Sequence, residues 1–263
     1  MKARSILRNG IIAAAVATTS FAAYASHSWS NYHWARTGSS FTLRVIDSNT
    51  TDWDDELSRA LSQWSQSTKL DMVVSSSDSS TATRSSCRAP AGKIRSCNYT
   101  YGQNGWLGLA SINLDSRGHI STGTSKMNDS YASSFASQNQ RWHVMCQELG
   151  HLLGLNHTST NGTSQSTCMD YSQSASSVSP NSHDYAQLVT IYGHTDSYAS
   201  TTSLASTAVS PQQLTMAGGK PLGMRISFGV FDETWVAPDG RGGVWIHKVI
   251  LAPGHEHTEL LGD

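Results

Sequence analysis

The run Cys146-Gln147-Glu148-Leu149-Gly150-His151-Leu152-Leu153-Gly154-Leu155-Asn156-His157 decides how this 263-residue chain is read. Residues 147 and 151 lie four apart, so a helix places both on one face. Opposite them, Trp142, Met145, Leu149, Leu152 and Leu153 make an apolar side. Glu148 sits about 100° round from Gln147, close enough to hold a water beside a metal bound by that face. Gly154 stops the helix, as glycine does just past a helix end, and lets the backbone turn sharply. His157 can then return to the same metal. Two imidazoles and a third donor around one open position are what a catalytic zinc needs. Such a metal acidifies its bound water, and the carboxylate accepts the proton.

The flanking patterns fit around that helix, which the spacing starts near Ser137 or Asn139. Phe41, Leu43 and Val45 alternate with polar residues and predict a strand over Phe41–Ile46. Thr51, followed by Asp52, Asp54, Asp55 and Glu56, is a helix start with acids in its first turn. Trp53, Leu57, Ala60, Leu61 and Trp64 then form one buried stripe, and Leu70–Val74 reads as a second strand. Strand, helix, strand implies a parallel pair with a right-handed crossover. Ser75–Ser86, almost wholly Ser, Thr and Asp, reads as a mobile surface loop. Trp106–Leu114 and Ile120–Asn128 are further strands. Asn156–Pro180 is turn-like, and a last helix follows Pro180-Asn181 with Tyr185, Leu188, Val189, Ile191 and Tyr192. Met224–Leu251 reads as a β-hairpin turning at Pro238-Asp239-Gly240.

Composition narrows the class. Eighteen basic and nineteen acidic residues leave a net charge of −1, so no net field gathers nucleic acid or anionic lipid. Only 14% of residues are charged and roughly one in six is Ser, while eight Trp and nine Tyr supply apolar area for a core. Lys2, Arg4 and Arg8 precede an apolar run, Ile11–Ala25, ending Ala23-Tyr24-Ala25, the pattern of a secretory signal peptide. The expectation is therefore an exported, extracellular monomer with no membrane span after signal cleavage. Four cysteines suit an oxidising compartment. Of three possible pairings the sequence-local one, Cys87–Cys97 with Cys146–Cys168, is expected. A four-thiolate zinc site is the competitor, without any C-x-x-C spacing to support it. A Cys146–Cys168 bridge would tie the helix to the turn at Met169, and Cα atoms more than about 7 Å apart would exclude it.

The helix motif resembles the zinc signature of the metzincin metallopeptidases, HExxHxxGxxH, and most closely that of the matrixin branch. Thr167-Cys168-Met169-Asp170-Tyr171 looks like the family's Met-turn, with Met169 a structural floor under the metal. Pro180-Asn181-Ser182-His183-Asp184-Tyr185, running on to Ile191-Tyr192-Gly193, resembles the helix that closes a matrixin catalytic domain. Gly105-Trp106-Leu107-Gly108-Leu109-Ala110 is similar to the edge strand along which such enzymes lay an extended peptide, with Gly108, Leu109 and Ala110 as the substrate edge. Tyr171 stands where astacins and serralysins carry a tyrosine that approaches the metal, and as the bland alternative it is a core side chain.

The resemblance implies an α/β fold: a twisted, mainly parallel sheet with two major helices and a C-terminal helix. It implies a secreted zinc endopeptidase acting on proteins or peptides, with Gln147, His151 and His157 on the metal, Glu148 as general base, and Tyr171 beside the oxyanion. The organisation read from the chain is signal 1–25, catalytic domain 26–196, Ser/Thr-rich linker 197–211 and hairpin tail 212–263. No cysteine lies between the signal and Phe41, which speaks against a long inhibitory propeptide of the cysteine-switch kind. One position departs from the family: its first ligand is His, and this chain has Gln147. A carboxamide oxygen is a weaker donor for zinc than imidazole. Gln147 can coordinate through that oxygen, His143 one turn earlier can take part, or the site has lost zinc and the domain is a non-catalytic binding module. Calcium is left open at Asp115 and Asp129, for no D-x-D-x-D-G loop occurs. His255-Glu256-His257 reads as solvated tail, and His183 as part of a helix start. Restoring the family residue with Gln147→His should tighten zinc binding in a chelator competition; unchanged affinity would mean that position 147 is not a ligand.

Overall fold

The computed structural model describes residues 27–202 and 223–260. The signal segment 1–25 lies outside them, as do 203–211 of the linker and the ends of the tail. Strand β1 (Phe41–Ser48) and β2 (Leu70–Ser77) pair in parallel across helix α1 (Asp54–Trp64). A short helix α2 (Thr81–Ser86) then leads to β3 (Lys93–Tyr99), β4 (Trp106–Leu114) and β5 (Ile120–Asn128). Helix α3 (Gln138–His151) carries the motif and α4 (Ser182–Ile191) closes this part. The tail adds β6 (Met224–Phe228), β7 (Asp232–Pro238) and β8 (Val244–Leu251). All eight strands form one sheet in the order β2-β1-β3-β5-β4-β8-β7-β6.

Among β1–β5 the sheet is mainly parallel, as expected, and the antiparallel tail strands make the whole sheet mixed. β1 runs parallel to β2 and β3, and β3 to β5, whereas every pairing from β5 through β4, β8 and β7 to β6 is antiparallel. The α1 stripe is buried as its periodicity requires, and it packs on α3. There the Trp64 indole donates to the Cys146 carbonyl at 3.0 Å, and Glu56 accepts from Gln138 at 2.9 Å and pairs with Arg141 at 2.5 Å. Burial pushes the Glu56 carboxyl up, but the Arg141 and Gln138 hydrogen bonds outweigh it and hold the carboxyl below its usual range. Both cystines form in the expected pairing, with Cα separations of 6.0 Å for Cys87–Cys97 and 5.9 Å for Cys146–Cys168.

Two expectations are corrected, and one strand went unread. The Ser75–Ser86 loop is in fact the end of β2 followed by α2, because its polar side chains act as caps. Ser80 accepts from the Thr83 amide, and Asp78 accepts from the Thr83 hydroxyl at 2.6 Å. Strand β3, K-I-R-S-C-N-Y, has too few apolar residues to be read as a strand, yet β1 and β5 flank it and bury Ile94, Ser96, Cys97 and Asn98. Most consequentially, the tail's hairpin, β7–β8 turning after Pro238 as expected, carries a further strand β6, and β8 pairs along β4. Gly108, Leu109 and Ala110 are therefore not an open edge: their outer side faces Ile250, Val249 and Lys248. The reason lies in β8 itself. Ile246 and Ile250 join the core beneath α3, while Val249 and Leu251 pack with Trp106 and Leu109 on the other face. A strand apolar on both faces is stable only inside a sheet.

Gly154 illustrates how tightly the motif's turn is held. Its φ is +92°, its carbonyl accepts from Trp29 N at 2.7 Å, and a Cβ there would collide with the Tyr32 carbonyl oxygen. Gly154→Ala should lower the unfolding free energy by about 1–3 kcal/mol or more in a denaturant titration; an unchanged midpoint would contradict this account of the turn.

Candidate metal centre

Helix α3 delivers the motif because three contacts fix its depth. The Cys146–Cys168 bridge ties it to the turn that carries Met169, Trp64 binds the Cys146 carbonyl, and Gly150 lets that turn approach closely. A Cβ on Gly150 would meet Met169 Sδ at 2.5 Å and the Trp64 ring at 2.7 Å. Met169 is wholly buried against the helix. The turn is rigid in its own right: the Asp170 carboxylate accepts from Gln165 N at 2.6 Å, Ser172 N at 2.8 Å and the Ser177 hydroxyl at 3.0 Å.

On that base α3 buries its polar side chains Gln147, Glu148 and His151. The Gln147 amide nitrogen donates to the Asp170 carbonyl at 2.7 Å, which leaves its oxygen as the only uncommitted atom of the carboxamide. His151 Nδ1 bonds the Leu155 carbonyl at 2.9 Å, so its proton is there and Nε2 presents a lone pair. The His151 and His157 rings stand edge to face, 4.5 Å between centroids. Gln147 Oε1, both Glu148 carboxylate oxygens and His151 Nε2 are buried with no hydrogen-bond partner among the described residues. Buried polar atoms are rarely left so. An imidazole nitrogen and a carboxamide oxygen are donors that suit zinc, and a second imidazole nitrogen is at hand in His157, whose ring nitrogens both face the Tyr171 hydroxyl here.

Electrostatics follow from burial. The Glu148 carboxyl is pushed well above its ordinary range by desolvation, against a smaller opposing pull from Lys248. A Cβ on Gly108 would run into this carboxylate, so the β4 glycine makes the room for it. His151 is held well below its usual range by burial and by His157 beside it. His157 falls to about 4, chiefly by burial and then by Lys248. Tyr171 places its hydroxyl 2.8–2.9 Å from the His157 ring nitrogens, and burial pushes the phenol up.

Two residues here were invisible to sequence reasoning. Asp232 at the start of β7 lies 3.5 Å from His157 Nδ1 and pairs with Lys248 Nζ of β8 at 3.2 Å. Burial opposes ionisation of Asp232, but His157 and Lys248 outweigh it and keep it a carboxylate. A lysine inside the apolar run Val244–Leu251 was the available signal. The other candidates are engaged elsewhere. His143 Nδ1 bonds the Ser177 carbonyl at 2.6 Å. Asp115 accepts from Arg117 N, His119 N and Tyr198, and Asp129 from Asn98 and Trp53. His257 pairs with Glu233 at 3.0 Å, and His255 lies 3.5 Å from the Tyr131 hydroxyl. The α4 start is a capping box built by Asn181 and Asp184, with the His183 amide also bonded to Asn181.

A parallel half-sheet, a helix laid against it with its ligand face toward a methionine turn, and a closing helix in that order make up the catalytic domain of a metalloprotease. The matrixin family model matches residues 33–193, from the strand-leading segment to the end of α4, and the chain belongs to that family. No curated protein matches it. The matched stretch stops before β6, so the strands that supply Asp232 and Lys248 lie outside it. Filling the space at residue 150 should separate helix from floor: Gly150→Ala is expected to cost about 1–3 kcal/mol in urea unfolding, and a neutral effect would contradict the close approach of Met169 to α3.

Proposed function

We propose that the chain is an exported zinc-dependent endopeptidase whose cleft is closed by its own C-terminal strands. The observation that carries the reading is that Gln147 Oε1, Glu148 and His151 Nε2 are buried on α3 without hydrogen-bond partners among the described residues, with the His157 ring 4.5 Å from that of His151. In this reading Gln147 Oε1, His151 Nε2 and His157 hold the metal. Zinc bound there supplies a Lewis acid that brings a water's pKa toward neutrality. Glu148 takes the water's proton at a carboxylate oxygen as the scissile carbonyl is attacked, then returns it to the leaving amine. The Tyr171 hydroxyl stands ready to donate to the carbonyl oxygen as it gains charge. Met169, packed against Gly150, keeps the floor. Protein or peptide substrates follow from the family; the signal-like Lys2–Ala25 segment and the two cystines support export.

Closure is the second part of the reading. Gln147, Glu148 and His151 have no solvent exposure, and β8 occupies the side of β4 along which an extended peptide would pair. A substrate strand therefore competes with β8 for the same backbone groups. Within the tail Lys248 holds Asp232 at 3.2 Å, and Asp232 in turn reaches His157 at 3.5 Å, so the pair links the tail to the site through that carboxylate. Breaking one partner of a buried pair costs about 3–5 kcal/mol, enough to loosen the tail.

Full-length protein should cleave casein in a chelator-sensitive way. Glu148→Ala should lower the rate by about 10²–10⁴ with zinc content unchanged; a variant as active as the parent would remove Glu148 from the mechanism. Lys248→Ala should raise the casein rate of the full-length chain roughly tenfold or more, the direction opposite to ordinary damage near an active site. An unaltered or lower rate would contradict closure by β8. Metal-free protein that stays inert in the Lys248→Ala background would favour the non-catalytic binding module instead.

A further inference from the structure

We propose a second metal site, closed and structural, in which His33, His119, His194 and Asp196 bind one zinc ion beside the β4–β5 turn. It does not rest on the peptidase reading. Asp196 Oδ1 lies 3.6 Å from His33 Nε2, 3.2 Å from His119 Nε2 and 3.5 Å from His194 Nε2. His33 Nε2 and His194 Nε2 are 3.1 Å apart. The ligand atoms of His33, His119 and Asp196 all lie within 4.8 Å of one another. With zinc–ligand bonds of about 2.0–2.1 Å, the edges of a tetrahedron are about 3.3–3.4 Å. The three contacts to Asp196 Oδ1 and the His33–His194 contact, 3.1–3.6 Å, bracket that value.

The surrounding hydrogen bonds decide which nitrogens are bare. His33 Nδ1 faces the Asn31 carbonyl at 2.7 Å, which only an N–H can satisfy. His119 Nδ1 faces the Tyr198 hydroxyl at 3.0 Å. Tyr198 gives its one proton to Asp115, so it accepts from His119. Both rings thus direct an Nε2 lone pair at a carboxylate oxygen, and His33 directs it at a second imidazole nitrogen as well. Asp196 Oδ2 is already taken by the Arg36 amide at 2.9 Å, which aims Oδ1 into the cluster. One divalent cation at the centre satisfies all four groups. Imidazole with a single carboxylate selects zinc over calcium or magnesium. Outer hydrogen bonds that orient ligand histidines are the usual companions of such a site. The ligands come from the segment before β1, the β4–β5 turn and the chain after α4, so the ion would pin three distant stretches together.

The test uses full-length protein carrying His151→Ala to remove the catalytic candidate, stripped with chelator and titrated with Co2+ alone. One equivalent should bind with visible d–d absorption of tetrahedral intensity. Adding His119→Gln should abolish that band. Adding His194→Ala, at a half-exposed side chain that the fold does not need, should weaken Co2+ binding about tenfold or more. A His151→Ala chain that binds no Co2+, or a band that survives His119→Gln, would overturn the site. Neither result bears on casein cleavage by the parent chain, so this proposal and the peptidase reading fail separately.

Discussion

Burying a polar atom without a partner costs about 1–3 kcal/mol, and helix α3 buries four of them side by side. Gln147 Oε1, Glu148 Oε1 and Oε2, and His151 Nε2 have no hydrogen-bond partner among the described residues. Each could have been avoided by an apolar residue, and the neighbouring Leu149, Leu152 and Leu153 show that the core has room for such residues here. The cost is met only if something enters that space. Zinc and a water fit the donor types, and the outer bonds from Gln147 to Asp170 and from His151 to Leu155 hold those donors turned toward it.

The rest of the domain serves to keep α3 at one depth. Trp64 from α1 reaches its backbone, the Cys146–Cys168 bridge joins it to the turn below, and Gly150 admits Met169 directly against it. Preorganisation of this kind matters more for a carboxamide ligand than for an imidazole. A weak donor gains most when little freedom is lost on binding. The bridge and Gln147 therefore make sense together. The same logic extends to the tail, where β8 and the Lys248–Asp232 pair complete a sheet that would otherwise end at β4. Under the proposed reading, β8 stands on the side of β4 where a peptide would pair.

Much of this was legible from the residues because strong periodicity and short-range chemistry carry their own signal. The α1 stripe from Trp53 to Trp64, the ligand face of α3, the stop at Gly154 and the start of α4 all depend on spacing within a dozen residues. Strand β3 was not legible: with Ile94 as its one aliphatic residue, it is a strand only because β1 and β5 flank it. Helix α2 hid in a Ser-rich stretch whose caps resemble loop chemistry. The tail's pairing with β4 joins residues more than a hundred apart, and no local pattern encodes such a partner. Lys248 and Asp232 were missed for the same reason. The matrixin match ends at residue 193, so resemblance offered no help there either.

The central claim concerns where one ion sits. Diffraction from crystals of zinc-loaded full-length protein, recorded on both sides of the zinc absorption edge, locates it directly. The account predicts an anomalous peak bounded by the Gln147 carboxamide oxygen and the imidazoles of residues 151 and 157. Absence of density at that point, or a Gln147 side chain rotated away from a peak held by other groups, would contradict it.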